Sequence, residues 1–286
     1  MAQKQLFQAS SDDTAPEINY PLVEETRPSI YRAMKYWGKK PHNIWAQYIK
    51  RYCPPGGLVV DPFAGSAVAA FEAVKLGRRA VAFDLNPLSS FIIEVTASQF
   101  DKGAFLAAAK QVRESAEASD VYRTHYTRTR DGEIATVLNY RWERDELVSV
   151  AIETADHGRK LIDAEAADQR LAEDMRSLEI PAWYPTRKLP RHPSVTHRFI
   201  RDAGGETIDH LWTRRNLYLL ASMFESISAT ANNDLRLQLL SAFIQSLHLC
   251  TKMVIPRNKA ANRDFSGSWG RPDFLIRRRR MEQNPV

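Results

Sequence analysis

Asp61–Pro87 reads DPFAGSAVAAFEAVKLGRRAVAFDLNP. The apolar run Leu58–Val60 leads into Asp61, a turn with one glycine follows, and a helical pattern runs from Val68 to Leu76. Gly77 closes that pattern, as glycine does where a helix ends in a left-handed residue without a Cβ clash. A second short apolar run, Ala80–Asp84, again ends in an acid. Strand, turn, helix and strand in this order form the repeating unit of parallel α/β sheets. The stretch therefore predicts an α/β fold.

A turn of this kind lies at the carboxyl edge of its strands, where free N–H groups and the positive helix end face a ligand. Asp84 lies 19 residues beyond Gly65, a spacing that suits a carboxylate accepting hydrogen bonds from ribose hydroxyls. Two readings stand: a cradle for a nucleoside-containing cofactor, or an ordinary crossover with a tight turn. A dinucleotide site needs GxGxxG, and Phe63-Ala64-Gly65-Ser66-Ala67 has one glycine. The chain has no GxxxxGK[ST] phosphate loop. S-adenosylmethionine carries adenosine without phosphates and tolerates a turn poorer in glycine.

Outward from this unit, Ile44–Tyr52 has the spacing of an amphipathic helix, and Pro54-Pro55-Gly56-Gly57 stops it. Helical patterns recur over Pro87–Thr96 and residues 103–118. Tyr122–Arg130 and Glu133–Glu143 are β-prone and flank Asp131-Gly132, a hairpin turn pair. A charged helix is expected over about 158–178, then a loop marked by Pro181, Pro185, Pro190 and Pro193. Two apolar-periodic helices near 210–229 and 234–252 are split by Asn232-Asn233-Asp234, which is cap chemistry. The expected organisation is a flexible arm at 1–28, a core at 29–100, an insert with a β-hairpin and a charged helix at 101–200, and a helical segment with a basic tail at 201–286.

The 286 residues are 44% hydrophobic and 26% charged, the balance of a soluble globular chain with ample core. No apolar run approaches the roughly 20 residues of a membrane helix, and the N-terminus lacks the pattern of a signal peptide. Cys53 and Cys250 make no CxxC and no disulfide framework, so a cytoplasmic protein is expected. His192 and His197 have no matching ligand pair, so no metal is expected. The net charge of +6 favours polyanions only modestly. The run Arg277–Arg280 reads as a solvated face before it reads as a phosphate contact.

DPFAGS followed by FEAVKLGRRAVAFDLNP resembles the DPFxGSGTT…EAxxLGRxxxGxDxNP signature of amino-directed DNA methyltransferases, which make N6-methyladenine or N4-methylcytosine. Tyr36–Gly57, YWGKKPHNIWAQYIKRYCPPGG, resembles the helix preceding that family's cofactor turn. WYP and TRRNLYLL, within 180–255, more weakly resemble the large DNA methylases with this YWGKKPHN start. The resemblance implies a Rossmann-like methyltransferase sheet, S-adenosylmethionine as cofactor and DNA as partner. It implies that Asp61 orients the turn and approaches the cofactor's methionine amine. Phe63, Gly65 and Ser66 would line the cofactor, and Asp84 would bind its ribose hydroxyls. Lys40, Pro41 and His42 would stand near its carboxylate. Each has a plainer alternative: Phe63 as core, Lys40 as a surface cation, His42 as a helix start. Glu72 reads as structural.

Two departures stand out. The family's second glycine is Ala67, which costs on the order of 1 kcal/mol if its φ must be positive, and whose methyl group would crowd the cofactor. The catalytic motif [DNS]PP[YFW] is absent: Pro54-Pro55 follows Cys53, and Asn86-Pro87 and Asn284-Pro285 continue with leucine and valine. In the family that motif's polar side chain and first proline carbonyl accept from the exocyclic amine while its aromatic ring stacks on the flipped base. No catalytic residue is therefore assigned. The sheet is expected to be incomplete, and the chain to be an N-terminal half that needs a second chain carrying the motif, or else a truncation or a decayed enzyme. A non-catalytic subunit for DNA or partner binding and an RNA guanine-N2 methyltransferase are the alternatives. Arg123, Arg128, Arg130 and Arg141 are candidate DNA contacts, or simply a solvated surface.

Overall fold

The computed structural model describes residues 17–34, 36, 38–130, 132–190, 192, 195, 197–257, 267–269 and 275–286, with the side chain of residue 197 also left aside. Residues 1–16 of the expected arm, and Asp131 of the expected hairpin turn, lie outside the described residues. The chain divides into two units, Met1–Ala97 and Ser98–Val286.

The first unit comprises α1 (Ser29–Arg32), α2 (His42–Tyr52), β1 (Leu58–Asp61), α3 (Val68–Lys75), β2 (Arg79–Ala82) and α4 (Pro87–Ala97). β1 and β2 pair in parallel, with Leu58 opposite Arg79 and Asp61 opposite Ala82. This is the strand–helix–strand unit the sequence predicts, with β2 ending two residues before Asp84. α3 buries Val68, Ala69, Glu72 and Ala73. Glu72 is structural: its Oε1 accepts from the Tyr31 hydroxyl at 2.5 Å and from Lys75 Nζ at 2.8 Å, which ties α1 to α3. On the strands, Val59 and Ala80 are half-buried, whereas Leu58, Val60 and Val81 are exposed, as is Phe83 just beyond β2. Adjacent strand residues point to opposite faces, so one face of this sheet is bare and apolar.

The second unit contains α5 (Lys102–Glu117), α6 (Asp120–Tyr126), β3 (Thr127–Arg130), β4 (Glu133–Glu143), β5 (Glu146–Thr154), β6 (Gly158–Asp163), α7 (Ala166–Asp174), α8 (His197–Ala203), α9 (Arg214–Ser228), α10 (Asn233–Leu247), β7 (Val254–Pro256), β8 (Gly267–Trp269) and β9 (Arg279–Gln283). Its main sheet is antiparallel. β5 runs along one edge of β4, while β3 and β9 share the other, β3 beside Glu133–Thr136 and β9 beside Asn139–Glu143. Tyr126, Tyr140, Trp142, Val150, Ile152 and Leu219 form its core. Val112, Leu220, Leu239 and Phe243 form a second cluster among α5, α9 and α10.

Three expectations are corrected. Tyr122–Tyr126 is helix rather than strand, because Ser119 caps α6 by accepting from Tyr122 N–H at 3.1 Å and the turn buries Val121, Tyr122, His125 and Tyr126. Residues 158–163 are the edge strand β6 rather than the start of a charged helix, and α7 begins at Ala166. The basic tail ends in β9, so it belongs to the same sheet as the 101–200 segment. Cys53 and Cys250 are free thiols. Among the described residues no helix is long and apolar enough to cross a membrane, and no cluster of metal-ligating side chains is present.

Candidate functional site

The β1–α3 turn is held by its own acids. Asp61 Oδ1 accepts from the Phe63 N–H at 3.1 Å, and its carbonyl accepts from the Phe83 N–H at 2.9 Å. Phe83 O in turn accepts from the Ala64 N–H at 2.9 Å, so the turn is laced to the segment after β2. Asp84 completes the tie: Oδ2 accepts from the Gly65 N–H at 2.7 Å and Oδ1 from the Asn86 N–H at 2.8 Å. These two amides, Asn86 first, hold the Asp84 carboxyl below its ordinary range despite partial desolvation, with Ser89 helping. Gly65 has φ +54° and Ala67 φ +53°, the left-handed region, so the turn uses two such residues in three.

The structure thus joins Asp61, Phe63, Gly65 and Asp84 in one hydrogen-bonded loop, with Ser66 buried inside it. Phe63 is 84% exposed, which removes the core alternative for its ring. Lys40, Pro41 and His42 lie at the start of α2. Lys40 stands over the Trp45 ring at 5.9 Å, Pro41 is the N-cap, and the His42 ring packs 5.9 Å from that of Tyr31. The internal cation of this segment is Lys39, whose Nζ donates to the carbonyls of Tyr31 and Met34. Burial, then the Arg27 charge, lowers the Lys39 pKa.

Sequence reasoning passed over Tyr36. A Cβ on Gly65 would stand 3.0 Å from the Tyr36 ring, and the Tyr36 hydroxyl lies 3.3 Å from Ser89 Oγ. Tyr36 therefore covers the glycine, and the family-like YWGKKPHN stretch was the available signal. The Ala67 methyl does not face the open side of the turn: the residue is 0% exposed. The expected crowding of a cofactor by that methyl is thus not what the turn shows, although the expected positive φ is. Among the candidate DNA contacts, Arg128 is a structural cation, bonded to Asp168 at 2.9 Å, and Arg123 is paired to Asp120.

A carboxylate has about four lone-pair positions, so the two backbone amides and Ser89 leave Asp84 able to accept one more hydrogen bond. The exposed Phe63 ring offers an apolar face beside the turn.

Residues 13–93 match the DNA methylase family. The type II methyltransferase M.MjaII of Methanocaldococcus jannaschii is 24% identical over 78 residues, which cover 27% of this chain. That stretch spans 15% of the length of this curated relative. No solved structure matches the chain.

Proposed function

We propose that the chain, whose residues 13–93 match the DNA methylase family, binds S-adenosylmethionine at the β1–α3 turn and serves methyl transfer to an exocyclic amine of a DNA base. The base is adenine, at N6, or cytosine, at N4, and the site of action is the cytoplasm. The observation that carries the reading is the Asp84–Gly65 tie, which sets a carboxylate and a positive-φ glycine side by side at the carboxyl edge of two parallel strands. When bound, the cofactor supplies an activated methyl group. Asp84 would hold the ribose hydroxyls, Phe63, Gly65 and Ser66 would line the cofactor, and Asp61 would orient the turn and approach the methionine amine. Lys40, Pro41 and His42 stand at the helix start for the cofactor's carboxylate.

The [DNS]PP[YFW] chemistry comes from a further polypeptide segment, in a second chain or in the same longer protein. The bare apolar face formed by Leu58, Val60, Val81 and Phe83 supports this, because parallel sheets are ordinarily covered on both faces. The missing motif also favours a second reading, a subunit that keeps the fold for DNA or partner binding. Calorimetric titration with S-adenosylmethionine decides between them. The wild-type chain should bind, and Asp84→Ala, with an unchanged circular dichroism spectrum, should bind at least about tenfold more weakly, the worth of one charge-assisted hydrogen bond. A folded wild-type chain that takes up no cofactor sinks the first reading and leaves the second.

A further inference from the structure

In the second unit, a cavity of about 410 Å³ is walled by β4, α7, α8, the start of α9, and β9. Five basic side chains line it against three acidic ones. Several are already engaged. Arg201 is held by Asp202 at 3.1 Å, and Arg214 donates to the Leu178 carbonyl at 2.8 Å. Lys252 is not saturated: its Nζ donates to the Ala203 carbonyl at 2.8 Å, and an ammonium has three protons to give. Burial first, then the Arg280 charge, lowers the Lys252 pKa to about 8, against Glu282, Asp209 and Asp145, so the amine is cationic at neutral pH. Arg280 lies over the Trp142 ring at 5.3 Å, donates through Nη1 to the Arg144 carbonyl and lies 3.5 Å from Asp145 through Nη2, and Arg176 stands exposed at the rim.

One acceptor among the residues lining this cavity has no hydrogen-bond partner. Asp209 Oδ1 is buried and accepts no hydrogen bond. The nearby His210 Nδ1, at 3.6 Å, is engaged by the Thr207 hydroxyl at 2.8 Å. The His210 ring is fixed in turn by Gly205, where a Cβ would fall 2.4 Å from Nε2. A buried carboxylate oxygen left in this state costs free energy that a ligand hydroxyl would recover.

We propose that this cavity binds a sugar phosphate, its phosphate held by Lys252 with Arg280 and Arg176 and a sugar hydroxyl donated to Asp209. The volume lies within the usual range for small-molecule sites. The chemistry has two sources, a free phosphorylated sugar or a nucleotide, and the probes separate them. The full chain is titrated with inorganic phosphate, ribose 5-phosphate and adenosine 5′-monophosphate by calorimetry. Ribose 5-phosphate should bind more tightly than inorganic phosphate. Further tightening with the nucleotide assigns the nucleotide as the source, and equal affinity assigns the bare sugar phosphate.

Lys252→Met should weaken binding at least about tenfold, and the exposed Arg176→Gln about threefold, as loss of a buried and a rim charge predicts. Asp209→Asn should reduce the preference of ribose 5-phosphate over phosphate. Arg176→Gln keeps the test open should Lys252→Met fail to fold. Equal binding of phosphate and ribose 5-phosphate, or affinities unmoved by these substitutions, would overturn the proposal.

Discussion

Ala67 holds φ +53° and ψ +28° at the N-cap of α3 with its methyl wholly buried. Two effects of similar size oppose each other there. A non-glycine residue in the left-handed region costs about 1–2 kcal/mol. Removing the methyl forfeits about 0.8 kcal/mol of burial and frees the unfolded chain by roughly another 0.5–1 kcal/mol. Ala67→Gly should therefore shift stability by less than about 1 kcal/mol in urea unfolding. Affinity for the proposed cofactor should stay within about twofold, since a buried methyl does not meet a ligand on the open side. A large gain in affinity would mean that the methyl reaches the cofactor after all.

His125 carries a pH dependence at the same scale. Burial, with the Arg215 charge, lowers its pKa from 6.5 to about 4, against Glu282 and Asp174. Its ring is buried in α6. Between pH 6.5 and 4 the unfolded chain binds a proton that the folded chain refuses, so stability is full above pH 6.5 and falls as the pH drops through that window. The decline should be on the order of 1–3 kcal/mol, and His125→Asn should flatten it. Urea midpoints measured from pH 7 to 4 on both proteins check this. Parallel curves would place the acid sensitivity in other groups.

At the scale of elements, β9 is locked to α9 through a buried ion pair. Arg215 is 0% exposed, and its Nε and Nη2 donate to Glu282 at 2.6 and 2.7 Å. Thr213 Oγ1 and Trp142 Nε1 donate to the same carboxylate at 2.6 and 3.1 Å, and the guanidinium lies 3.7 Å from the Tyr140 ring centroid. Burial alone would raise the Glu282 pKa, but Arg215 and these donors outweigh it and keep the carboxylate ionised. Removing one partner leaves a buried charge. Arg215→Met should cost about 3–5 kcal/mol, and the double variant Arg215→Met with Glu282→Leu should recover part of that loss. Chemical unfolding of the wild type and these two variants tests it. A double variant no more stable than the single would mean that Thr213 and Trp142 depend on the carboxylate as much as Arg215 does.

The same elements show what a sequence makes legible. β1, α3 and β2 were readable because their signals are local: an apolar run, a helical period and a closing glycine. The tie between Gly65 and Asp84, and the place of Asp61 beside it, were legible from spacing, since all three end or bend elements whose register is fixed. α6 was misread because Val-Tyr-Arg-Thr-His-Tyr is β-prone residue by residue, while its Ser119 cap and buried face decide for helix. β6 gave no strand period because it is an edge strand with most side chains in water. β9 depends on pairing with β4, about 140 residues earlier, which no local pattern encodes. Tyr36 was missed for the same reason, because its contact with Gly65 crosses the unit.

Among the described residues, the main sheets of the two units differ in completeness. In the second unit β4 has partners on both edges, and β5 buries Leu147, Val150, Ala151 and Ile152. In the first unit two parallel strands have one covered face and one bare face, with Val60 55% and Phe83 59% exposed. Two strands seldom suffice for stability, and parallel strands normally lie under cover on both faces. Local opening should therefore cost far less in β1 and β2 than in β4 and β5. Amide hydrogen exchange should show the Val60 and Val81 amides exchanging well before those of Val150 and Ile152. A polypeptide that supplies the missing strands and the catalytic motif should slow β1 and β2 selectively. Val60→Lys should block that slowing while leaving exchange in the free chain nearly unchanged, because the side chain already lies in water there. Equal protection of both sheets in the free chain would mean that the first unit is complete as it stands, and the case for a second segment would rest on the absent motif alone.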